Sequence, residues 1–98
     1  MKKTKIYDTS VRTELIERDG VKYKYDLIMK ESGRVASYNI PLYSVSVEMT
    51  DENGEVSGAV TRDVFSDVGK AIVFFDRLVR SLATPTELKY IVEEELAR

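Results

Sequence analysis

The sequence predicts an α+β fold: an antiparallel β-meander of four to five strands followed by two C-terminal helices packed on one face. Three observations predict it. Val21, Tyr23, Tyr25, Leu27 and Met29 alternate with Lys22, Lys24, Asp26 and Lys30, with Ile28 the one exception. A strand with one buried face requires this period of two. Asp19-Gly20 stands directly before that segment, a two-residue hairpin signal because a type I′ turn needs positive φ at both positions. The periodicity then changes to that of a helix in Ser66 to Leu82. Strands segregated from helices, with hairpin turns between the strands, leave little room for a parallel sheet.

Taken in order, Met1 to Ile6 is polar and basic and reads as a poorly tied terminus. The first strand is expected over Tyr7 to Arg18, with Val11 to Arg18 its firmest part. The second runs from Val21 to Lys30, and Glu31-Ser32-Gly33-Arg34 reads as the next turn. The third segment, Val35 to Met49, changes phase. Its apolar residues fall at Ala36, Tyr38, Ile40 and Leu42, then at Tyr43, Val45, Val47 and Met49. Pro41 sits at the switch, so a bulge or break near it is expected, and the segment is either one bulged strand or two. Thr50 to Gly54 is a turn, and Glu55 to Phe65 is the last strand.

The helix that follows organises the chain. Val68, Ala71, Ile72, Phe75, Leu78, Val79 and Leu82 share one face, with Phe74 at its margin. Lys70, Asp76, Arg77, Arg80 and Ser81 lie outside it. Ser66 is the expected N-cap, with Asp67 in the first turn. Thr84-Pro85-Thr86-Glu87 opens a second helix. Thr84 is the N-cap, Pro85 takes N1 and Glu87 takes N3, which completes a capping box. Leu88, Ile91, Val92 and Leu96 form the stripe of this helix.

Length and composition bound the function. Ninety-eight residues make a single α+β domain, residues 1–98. Net charge is −2 from 15 basic and 17 acidic residues, which argues against a surface wholly adapted to nucleic acid or anionic membrane. There is no cysteine and no histidine. The usual zinc, copper and iron ligands are therefore missing, as are Cys–His and Ser–His nucleophile pairs. No catalytic, cofactor-binding or metal-ligating residue is assigned, and no cofactor is expected. Met1-Lys2-Lys3 could open a signal peptide, but Tyr7-Asp8-Thr9-Ser10 interrupts before any apolar region. No apolar run approaches the roughly 20 residues of a membrane span, so a cytoplasmic location is expected.

The last third of the chain resembles a known family. The residues that carry the resemblance are Asp63-Val64-Phe65, then Ala71 and Leu78, then Thr84-Pro85, Leu88, Val92 and Glu94. Tyr38-Asn39-Ile40 resembles a Tyr-Gly-Ile element in the middle of that family, with an asparagine suited to positive φ in place of the glycine. The family is a domain of unknown function in small proteins of Gram-positive anaerobic bacteria. It implies no activity and no functional residues.

Several residues invite a functional reading beside a plainer one. The acidic turn Asp51 to Glu55 could hold a cation, but it lacks the oxygen array of a calcium loop and reads as a solvated turn. Lys70, Arg77 and Arg80, with Lys2, Lys3, Lys5, Lys22, Lys24 and Lys30, could form a basic patch for phosphates. The plainer reading is an ordinary charged surface, with Asp76 and Arg80 as an i,i+4 pair. Tyr90 lies opposite the stripe of the second helix, and Val73 is isolated on the polar side of the first. Either could mark a partner surface, or be a lone exposed apolar group. Glu95 falls inside the apolar stripe. It could pair with a buried arginine or serve as a site carboxylate, but fraying of the last turn is expected to carry it into water.

The favoured function is a non-catalytic protein-interaction or regulatory module, with an unidentified protein partner and a homodimer as one option. The alternative is a nucleic-acid-binding module using a local basic patch. An enzyme built on Asp, Glu, Tyr or Lys ranks last.

Overall fold

In a computed structural model describing residues 8–35 and 38–96, four strands precede two helices. They are β1 (Asp8–Arg18), β2 (Val21–Val35), β3 (Tyr38–Thr50), β4 (Val56–Phe65), α1 (Val68–Arg80) and α2 (Pro85–Leu96). The strands form one antiparallel sheet in the order β1-β2-β3-β4. The predicted meander is present, with four strands among the described residues. Both helices lie on one face, giving a slab of 49 × 37 × 18 Å whose thin dimension holds one sheet and one helical layer.

The alternation in β2 decides which face is covered. Tyr25 and Leu27 are fully buried and oppose Val47 and Val45 of β3, which are fully buried too. Lys22, Lys24 and Asp26 project to the other face, where no helix lies. The hairpin signal holds as well: Asp19 and Gly20 have φ of 55° and 80°, and Arg18 pairs with Val21.

The next expected turn is misplaced. Glu31 to Arg34 continue β2 rather than ending it. Gly33 belongs to an irregularity: pairing slips between Glu31 and Gly33, opposite Pro41 and Ile40. A glycine at a strand irregularity and a glycine in a turn look alike in sequence, which explains the error. The break expected near Pro41 therefore exists, but its extra residue is Ser32 of the partner strand. Tyr38 to Thr50 is one strand, not two. Asn39 pairs with Arg34 inside the ladder, and among the described residues the non-glycine residues of positive φ are Asp19 and Leu82. Met1 to Tyr7 and Ala36 fall outside the described residues.

Helix α1 starts later and stops earlier than predicted. Asp67, not Ser66, is its N-cap, and the Asp67 carboxylate accepts from the backbone N–H of Gly69 at 2.7 Å and of Lys70 at 3.3 Å. Val68 consequently sits at the first helical position and is 45% exposed, not in the core. Phe74, expected at the margin, is buried against Phe65 with ring centroids 5.2 Å apart. Ala71, Phe75 and Leu78 are fully buried, as predicted. Leu96 of α2 is mostly exposed, because it falls in the last turn beyond the sheet.

The corner between the helices is tightly closed. Leu82 N–H donates to the Val79 carbonyl and Ala83 N–H to that of Leu78, both at 3.1 Å. These are the two bonds of a Schellman motif, with Leu82 in the left-handed position at φ 52°. A leucine there costs roughly 1–2 kcal/mol relative to the right-handed region. The Tyr25 hydroxyl donates to the Ala83 carbonyl at 2.9 Å, so the central strand holds the corner directly. Burial, then the nearby Tyr23 and Glu87, push the Tyr25 hydroxyl up to about 12. The predicted capping box is present: Glu87 N–H donates to Thr84 Oγ1 at 3.3 Å, and Thr84 N–H to Glu87 Oε1 at 3.0 Å.

Candidate interaction cleft between the helices

Four of the residues singled out by sequence converge on one cleft. Lys70, Val73 and Arg77 come from α1 at helical spacings of three and four, which places them on one side of it. Glu95 comes from α2. With Gly69 and Phe74 they line a cavity of about 520 Å³. Phe74 is 2% exposed and Val73 is 68% exposed. The cleft thus has an apolar wall and a charged rim.

Arg77 ties the rim together. Its Nη1 donates to Glu95 Oε1 at 2.9 Å, and its Nη2 to Glu94 Oε1 at 3.4 Å. This corrects the expectation that Glu95 frays into water. Its side chain is 31% exposed and paired, because α2 continues to Leu96 and the guanidinium offers two parallel donors. Glu95 inside the apolar stripe was the visible sign of this contact. Its partner lies 18 residues away, beyond the reach of helical spacing.

The remaining candidates lie elsewhere. Tyr90 is 65% exposed and Arg80 is exposed, and neither lines the cleft. Asp76 pairs at 3.3 Å with Arg12 of β1, not with the expected Arg80. Lys22 and Lys24 lie on the sheet face opposite the helices, opposite Glu17 and Glu48 respectively in the ladder. The described basic residues thus divide between two sides of the molecule. Lys2, Lys3 and Lys5 lie outside the described residues. Asp51 serves its own turn, its carboxylate accepting from Asn53 N–H and Glu55 N–H, each at 2.9 Å. Among the described residues, no three His, Cys, Asp or Glu side chains are placed to hold a metal ion. No described helix is long and apolar enough to cross a membrane.

Comparison with known proteins adds one relationship. A family of unknown function (DUF6514) matches residues 4–98, and the chain belongs to it. The expected membership in a domain family of unknown function is borne out. No curated protein and no solved structure matches.

Proposed function

We propose that the chain is a non-catalytic protein-interaction or regulatory module of a bacterial cytoplasm. The observation that carries this reading is the cleft between the helices. An exposed valine beside a buried phenylalanine, rimmed by Lys70 and the Arg77–Glu95 pair, has the make-up of a small interface: an apolar centre and a polar edge. Nucleic-acid binding ranks second. Phosphate recognition needs several cations on one connected surface, and here Arg77 is engaged by two carboxylates while Lys22 and Lys24 have acidic neighbours on the far face.

The test is affinity capture of the tagged full-length protein beside its Val73→Asp variant. Val73 is exposed, so the variant keeps its thermal midpoint. The expected result is a defined protein set that the variant loses. Equal capture by both, or retention of a nucleic-acid polymer that falls steeply between low and physiological salt, would sink the reading.

A further inference from the structure

We propose that two copies of this chain associate through β1, edge to edge and antiparallel, around a two-fold axis at Thr13. The proposal rests on the protein-interaction reading and names one partner, a second copy of the same chain. It starts from position. Among the described residues, β1 is an edge of the sheet, bonded to β2 on one side only, and residues 9–15 are all exposed. Leu15 is 72% exposed and Val11 38% exposed, on a strand where apolar side chains gain nothing from facing water.

The hairpin fixes which backbone groups point outward. A two-residue turn with positive φ at Asp19 and Gly20 makes Arg18 and Val21 a hydrogen-bonded pair. Bonded and non-bonded rungs then alternate along the ladder. Ile16, Glu14 and Arg12 therefore turn their N–H and C=O groups toward β2, and Leu15 and Thr13 turn theirs to the open edge. The Thr13 side chain is held on the open face by its hydroxyl, which donates to Asp26. Its backbone remains available for an incoming strand.

Charge selects the register. With Thr13 opposite Thr13 of a second copy, Arg12, whose guanidinium also lies 3.3 Å from Asp76 of its own chain, faces Glu14 of that copy twice over, and Leu15 meets the irregular segment at its Val11. The Arg12–Glu14 pairs are then opposite in sign, and the exposed Leu15 lies beside the irregularity at Val11 of the second copy. Moving the axis to Glu14 places two glutamates face to face. Moving it to Leu15 places Arg12 against Arg18, and moving it to Arg12 places two arginines together. Pairing loses its regular phase at Val11, which has no partner in β2 because the β1–β2 register shifts between Ser10 and Arg12. The regular match is therefore confined to Arg12–Glu14. The product is one continuous sheet of eight strands, four from each copy.

The experiment is a charge swap read by sedimentation. The wild-type chain is expected to form a dimer whose dissociation constant rises about tenfold or more in Arg12→Glu and in Glu14→Arg, since each variant opposes like charges across the axis. An equimolar mixture of the two variants restores opposite charges and is expected to give a one-to-one heterodimer. Both positions are exposed, so thermal midpoints of the variants verify that the fold persists. Because the chain has no cysteine, Thr13→Cys provides a single thiol, and a short bis-maleimide is expected to link two copies through it. A monomeric wild type at high concentration, single variants that dimerise like wild type, or a mixture that stays monomeric would each overturn the proposal. Loss of capture in Val73→Asp with an intact dimer, or the reverse, separates the cleft from this edge.

Discussion

Leu27 and Leu15 sit on adjacent strands of one sheet, yet Leu27 is fully buried and Leu15 is 72% exposed. The difference is the face each one takes. Leu27 points to the helices and joins Val45, Phe75 and Leu78 in the core. Leu15 opposes Lys24 on the face that no helix covers. The same apolar side chain therefore stabilises the fold on one side and remains free to meet a partner on the other. One face of this molecule is closed over the core, and its uncovered edge and helix margins leave Leu15 and Val73 exposed.

The strongest way to break that comparison is at α1. Phe75 is fully buried and Val73, two residues before it, is 68% exposed. Phe75→Ala is expected to cost about 3–5 kcal/mol, because it removes a ring from a closed core. Val73→Ala is expected to stay within about 0.5 kcal/mol. Denaturant unfolding of the two variants checks this, and equal losses would mean that α1 does not divide the molecule as described.

A middle-sized effect is expected at Tyr25, where the covered face meets the helix corner. Tyr25→Phe leaves the Ala83 carbonyl without its donor and is expected to cost about 1–3 kcal/mol. The pH dependence carries a sign. The hydroxyl titrates at about 12 when folded, against an ordinary 10.0, so between those values the unfolded chain loses a proton that the folded chain keeps. Wild-type stability is therefore complete below pH 10.0 and falls as pH rises toward about 12. Unfolding curves of Tyr25→Phe should lack that part of the alkaline loss. Identical alkaline profiles would show that the buried hydroxyl is not responsible.

A smaller effect is expected at Thr84. Thr84→Ala removes the side-chain oxygen that accepts from Glu87 N–H and should cost about 1 kcal/mol, read as a lower unfolding midpoint. This box was legible in the sequence because a capping box is local: four consecutive residues specify it. The β2 alternation and the Asp19-Gly20 turn were legible for the same reason. Legibility ended where two local signals compete or where partners are distant. Ser66 and Asp67 are both good N-caps, and the bonds that Asp67 makes to Gly69 and Lys70 decide between them. Gly33 signals a turn or a bulge equally well, and only its pairing opposite Ile40 shows the bulge. In the cleft, the exposure of Val73 followed from helical phase. The Arg77–Glu95 contact did not, because it depends on how the corner brings the two helices together.

The smallest effect sharpens the opening comparison. Leu15→Ala is expected to change the stability of the dilute chain by no more than about 0.5 kcal/mol, although the same change at a buried leucine costs several times that. The exposed side chain already lies in water, so truncation opens no cavity and strips little area from the core. What it does strip is an exposed apolar group beside the proposed axis. Its effect should therefore depend on protein concentration, since association with a second copy adds to apparent stability by mass action. Thermal melts of wild type and Leu15→Ala across a dilution series check this. The two should coincide when dilute and separate as concentration rises. A large loss already present at the lowest concentration would place Leu15 among the residues that hold the fold, and would erase the contrast with Leu27.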